Sequence, residues 1–158
     1  MSLAADILDL AKTQGIMIAT AESCTGGMVS AALTDIPGSS AVVERGFVTY
    51  TNRAKTEMLG VSPATLDAHG AVSEAVAAEM AAGALARAPV QLAVAITGIA
   101  GPGGSEFKPE GRVCFGVADT RGVRTETVEF GALGRDRVRA AARDHALLML
   151  HDALLQTA

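Results

Sequence analysis

The sequence predicts an α/β fold: a three-layer α/β/α domain with a mixed sheet. Strand-length apolar runs alternate with stretches of helical period along the 158 residues, the pattern of a sheet flanked by helices. Gln91 to Thr97 is almost continuously apolar, as in a strand buried on both faces. Arg112 to Ala118 and Val123 to Phe130 alternate as a hairpin around Asp119-Thr120-Arg121-Gly122, and an antiparallel pair beside parallel crossovers makes the sheet mixed.

Each element has a local reason. Leu3, Ile7, Leu10 and Ala11 recur at helical spacing before Gly15 and predict a helix over residues 3–14. Ile16-Met17-Ile18-Ala19 reads as a short strand. A tight turn through Ala21-Glu22-Ser23-Cys24-Thr25-Gly26-Gly27 follows, then a helix that begins near Gly26 and carries Met28 to Leu33. Pro37-Gly38-Ser39-Ser40 turns the chain into a strand over Ala41 to Thr51, rich in Val42, Val43, Phe47, Val48 and Tyr50. Asn52 reads as the N-cap of a helix containing Lys55, Met58 and Leu59 and closed by Gly60. Ser62-Pro63 and Gly70 bracket a short helix, and Ser73 starts an alanine-rich one that runs to Arg87 before Pro89. Residues 98–105 hold four glycines and a proline and form a loop, and a last helix spans Asp136 to Leu155. With no repeat, linker or low-complexity block, residues 1–158 are expected to be one domain.

Composition narrows the function classes. Hydrophobic residues make up 49% and charged residues 19%, enough for a packed core and far from disorder. The net charge of -4 provides no general attraction to nucleic acid or anionic membrane. No apolar run spans a bilayer, and Asp6 and Asp9 stand where a secretory signal would be basic, so the cytoplasm is the expected compartment. Cys24 and Cys114 form neither a disulfide framework nor, with His69, His145 and His151, a zinc set; no metal is expected.

The most informative segment is the turn at 21–27. A strand–turn–helix junction lifts a hydroxyl or thiol above the strand end, and the helix start behind it is expected to offer unpaired N–H groups to developing negative charge. Amide hydrolysis through an acyl-enzyme needs a nucleophile, a base and such donors. Ser23 is placed for the first role, although a helix-capping serine has the same signature. Cys24 is intrinsically more nucleophilic but needs a histidine neighbour or a depressed pKa.

Several motifs together resemble the C-terminal domain of the CinA family. They are Ala21 to Gly27, Gly38-Ser39-Ser40, Glu44 to Tyr50, Asn52, Lys55, His69 to Ser73, and Thr97-Gly98-Ile99-Ala100-Gly101-Pro102. The match covers nearly the whole chain and is that of the stand-alone form, without the molybdopterin-binding-like domain that precedes it in many members. The resemblance implies hydrolysis of the carboxamide of nicotinamide mononucleotide, without a cofactor, to nicotinate mononucleotide and ammonia. It implies a Ser23–Lys55 dyad, Tyr50 positioning the lysine or the carboxamide, and Thr97 hydrogen-bonding within the site. Lys55 can act as base only when neutral, which requires burial. Thr25, Gly26, Gly27 and Gly98 line the implied substrate path.

Arg135, Arg139 and Arg143 recur every four residues on one helical face near its start. Arg135, directly after Gly134, is the leading candidate for the substrate phosphate and Arg139 the second, while a solvated arginine stripe is the ordinary alternative. The chain departs from the family pattern in one loop: it is one residue shorter between Pro102 and Ser105, and Glu110 replaces a valine. Two other readings stand beside the Ser-Lys amidase: a Cys24-dependent amidase, and a non-catalytic nucleotide-binding or competence-associated module. The expected partner is a small-molecule nucleotide, with homo-oligomerisation left open.

Overall fold

A computed structural model describes residues 2–158. In chain order the elements are α1 (Leu3–Gln14), β1 (Ile18–Glu22), α2 (Met28–Thr34), β2 (Val43–Val48), α3 (Asn52–Leu59), α4 (Pro63–His69), α5 (Glu74–Arg87), β3 (Leu92–Gly98), β4 (Arg112–Asp119), β5 (Gly122–Glu129) and α6 (Arg135–Gln156). The five strands form one sheet in the order β2-β1-β3-β4-β5. β1 runs parallel to both β2 and β3, and β4 is antiparallel to β3 and β5, so the sheet is mixed.

Side-chain size separates the two faces. Leu92, Val94 and Ile96 of β3, with Val113, Phe115 and Val117 of β4, pack into the cluster that holds Ile7, Leu33, Val138 and Leu150 of α1, α2 and α6. The alternate positions are small: Ala93, Ala95 and Ala118 meet Val76, Met80 and Ala84 of α5, with Leu59 of α3. A small-residue sheet face lets the alanine-rich α5 lie very close. A Cβ on Gly116 would come 2.6 Å from the Ala77 carbonyl oxygen, and one on Gly83 only 2.0 Å from that of Leu59. Gly83→Ala is therefore expected to force α3 and α5 apart and cost about 1–3 kcal/mol, measured by chemical denaturation.

Several element boundaries differ from the sequence expectation. The first strand spans Ile18–Glu22 rather than residues 16–19, so Ala21 and Glu22 belong to the strand and the turn is confined to 23–27, with α2 starting at Met28. The second strand covers only Val43–Val48, because its partner β1 provides pairing from Ile18 to Glu22 alone; Ser39–Ala41 forms a 3-10 turn ahead of it. The cap of α3 is Thr51 rather than Asn52: the extended Thr51 backbone puts its hydroxyl where it accepts from the Ala54 amide at 3.0 Å. The last helix begins one residue earlier and ends one later than predicted.

The topology itself makes a crevice. From the C-terminal end of β1 the chain moves to β2 on one side, and the next parallel strand, β3, lies on the other. At such a switch point the loops leaving adjacent strand ends diverge, and ligands of open α/β sheets bind between them.

Candidate active site

Ser23 and Thr97 lie at that crevice, Ser23 just past the end of β1 and Thr97 near the end of β3. The parallel register β1–β2 runs to Glu22 opposite Val48, and the Thr49 amide then donates to the Glu22 carbonyl at 2.9 Å. This pairing carries Tyr50 alongside Ser23. One turn into α3, Lys55 points back beneath the same point, only 1% exposed. Its Nζ donates to Ser23 Oγ at 3.0 Å and to the Tyr50 main-chain oxygen at 3.3 Å, and the Ser23 hydroxyl faces that oxygen at 3.4 Å. Burial pulls the Lys55 pKa below its ordinary 10.5, opposed in part by the Glu106 charge. Burial pushes the adjacent Cys24 thiol up to about 12, so it stays protonated at neutral pH.

Tyr50 contributes differently from the expectation. The strand ends before it, and the residue is 56% exposed. The contact to the lysine comes from its main-chain carbonyl, while its hydroxyl accepts from Arg135 at 2.7 Å. Thr97 donates to the Ala71 carbonyl at 2.8 Å and ties the loop before α5 to the cleft wall. The cleft measures about 360 Å³ and is lined by Ser23, Cys24, Tyr50, Asn52, Lys55, Ala71, Val72, Thr97, Arg135 and the loop from Gly98 to Glu106.

The arginines that share a face in sequence separate in space. Arg135 reaches the cleft mouth, where it donates to the Gly101 carbonyl and the Tyr50 hydroxyl, both at 2.7 Å. Arg139 stands behind the turn, with Nε donating to the Cys24 carbonyl at 3.0 Å. Arg143 pairs with Asp144. Arg139, Thr25, Gly26 and Gly27 are thus outside the cleft lining, whereas Gly98 is within it.

The start of α2 also corrects an expectation. Its amides are not free, because the fully buried Glu22 carboxylate accepts from Gly27, Val29 and Ser30 at 3.2, 2.9 and 3.1 Å, and from the Thr25 hydroxyl at 2.6 Å. Gly27 has no capping side chain, so Glu22 satisfies the helix from the preceding strand. The amides of Cys24 and Thr25, inside the turn, have no acceptor among the described residues. The role of Glu22 escaped the sequence reading. Its signal was a carboxylate closing a buried strand directly ahead of a Gly-Gly helix start.

The model of the CinA C-terminal domain matches residues 1–154. The chain belongs to the CinA C-terminal domain family. Among CinA relatives, the nicotinamide-nucleotide amidohydrolase PncC of Escherichia coli K12 is 51% identical over 157 residues, covering 99% of this chain and 95% of PncC. A CinA-like protein of Chlorobium phaeobacteroides is 53% identical over 147 residues; the match covers 89% of this chain but only 35% of that longer protein. Of the solved CinA structures, the competence/damage inducible protein CihA from Agrobacterium tumefaciens superposes with a TM-score of 0.92 at 51% identity, covering 96% of this chain and 93% of that one. A CinA superfamily protein from Klebsiella pneumoniae gives 0.93 at 35% identity, covering 98% and 96%. Among the described residues no helix is long and apolar enough to cross a membrane, and no group of three or more His, Cys, Asp or Glu is arranged to hold a metal ion.

Proposed function

We propose that this chain hydrolyses the carboxamide of nicotinamide mononucleotide to nicotinate mononucleotide and ammonia through an acyl-enzyme on Ser23. The observation that carries the proposal is the buried Lys55 amine 3.0 Å from Ser23 Oγ, with its pKa lowered by burial. The activity in the name of the PncC relative supports the substrate. In the neutral form, the Lys55 lone pair accepts the Ser23 proton while an amine N–H donates to the Tyr50 carbonyl. Ser23 Oγ adds to the carboxamide carbon, and the oxyanion meets the amides of Cys24 and Thr25. Lys55 returns the proton to the leaving nitrogen, the C–N bond breaks and ammonia departs. A water then gives its proton to Lys55, attacks the ester carbonyl and restores Ser23. The protonated Cys24 thiol favours Ser23 over Cys24 as nucleophile.

Ammonia release from nicotinamide mononucleotide by chelator-treated protein tests this reading; no release above background would overturn it. Arg135 at the mouth is the proposed phosphate ligand, once its contacts to Gly101 and Tyr50 are exchanged. Remote binding energy of this kind positions the amide for attack. Nicotinamide riboside is therefore expected to be a poorer substrate, by about 10–100-fold for a charge-assisted contact. Arg135→Ala is expected to narrow that difference by harming the mononucleotide selectively; equal losses for both substrates would mean that Arg135 only braces the mouth.

A further inference from the structure

The shortened loop after β3 is held in place more firmly than its glycine content suggests. Glu110, which stands where the family pattern has valine, accepts from the Gly103 amide. Lys108 Nζ donates to the carbonyls of His69 and Val72, both at 2.7 Å, fastening the loop to the segment before α5. Ser105 and Lys108 exchange backbone hydrogen bonds at the tip. Between these fastenings Glu106 adopts φ 52° and Phe107 φ 64°, the two non-glycine residues with left-handed backbone among those described. Such conformations are unfavourable for ordinary side chains and persist where surroundings impose them, often at ligand sites.

The consequence is a carboxylate at the cleft. Glu106 is the one acidic side chain among the described residues that line it, and it carries no hydrogen bond or ion pair. Its Oε2 lies over Gly70, 2.3 Å from where a Cβ would sit, with Lys108 Nζ 2.9 Å from the same point. That lysine is engaged by two carbonyls, and the Glu106 charge is also felt at the Lys55 amine. A carboxylate lining the same cleft as the proposed phosphate ligand Arg135 would repel a purely anionic ligand. It matches a ligand that pairs its phosphate with a cationic ring.

We propose that Glu106 is a specificity-determining residue that recognises the positive charge of the substrate's N-substituted pyridinium ring. The inference rests on the function proposed above and adds a discrimination: an oxidised, cationic ring is favoured over a neutral one. The anionic wall and the Arg135 cation together read the substrate's two opposite charges.

The test compares wild type with Glu106→Gln and Glu106→Lys in steady-state ammonia release from nicotinamide mononucleotide. The reduced mononucleotide, whose dihydropyridine ring is neutral, serves as competing ligand. Glu106→Gln is expected to raise KM about fivefold, the scale of a solvent-exposed charge pair, with kcat within about twofold. The difference should shrink as salt is raised, and Glu106→Lys should raise KM further. The inhibition constant of the reduced mononucleotide is expected to stay unchanged in Glu106→Gln. An unchanged KM in both variants, or an equal shift for the cationic and neutral ligands, would overturn the assignment while leaving the amidase reading intact. A wild type that releases no ammonia would overturn both.

Discussion

Ser23→Ala is expected to abolish ammonia release while leaving nicotinamide mononucleotide bound. The substitution removes one oxygen, the atom 3.0 Å from Lys55 Nζ, and leaves Arg135 and the cleft walls in place. Loss of a nucleophilic serine from an acyl-transfer site is on the order of 10⁶-fold in kcat, so the residual rate should lie near background. Cys24→Ala is the matched control. Its thiol is buried and held protonated, so the variant should keep much of the wild-type rate. Binding is read by calorimetry on the inactive variant. An active Ser23→Ala beside a dead Cys24→Ala would falsify the choice of nucleophile.

Lys55→Arg is expected to be nearly as inactive as Lys55→Met, although it keeps the positive charge. Guanidinium stays protonated at all working pH values and has no lone pair for the Ser23 proton, and its planar fork does not fit a site built for a compact amine. General-base contributions of about 10²–10⁴-fold set the size of the loss. The pH profile has a definite sign. Below the Lys55 pKa the amine is protonated and cannot act as base, so the rate rises with pH through that pKa and levels off above it. Because burial lowers the value from 10.5, the rise should fall at lower pH than for a free lysine. Near-normal turnover by Lys55→Arg would make Lys55 an electrostatic cation and assign the base elsewhere.

Glu22 and Tyr50 mark where sequence reading reached its limit. Both belong to motifs that stand out in the chain, yet what each contributes depends on partners that arrive through the fold. The Glu22 carboxylate fills the start of α2 because a buried strand-end acid finds three amides within reach. A carboxylate there already neutralises the positive end of the helix, which removes it as an oxyanion site. Tyr50 looks like an aromatic catalytic partner in sequence. Once β2 ends at Val48, its ring swings to the cleft mouth and its carbonyl meets Lys55. The arginine series shows the same limit: a spacing of four places Arg135, Arg139 and Arg143 along one helix face, but each step is about 6 Å along the axis, so each finds a different partner.

By itself the sequence determined the layer architecture, most element positions, the CinA family and the strand–turn–helix that presents Ser23. These are local properties: hydrophobic period, capping residues and glycine turns act over a few residues and are written contiguously. The tertiary structure alone decided that Lys55, 32 positions away, is buried against Ser23, that the amides of α2 are occupied, and that Arg135 and Glu106 face one cleft. Those outcomes follow from the parallel register of β1 with β2 and β3, and from the close approach of α5 that small side chains permit. A one-residue change of register would send every side chain to the opposite face without altering a single local motif.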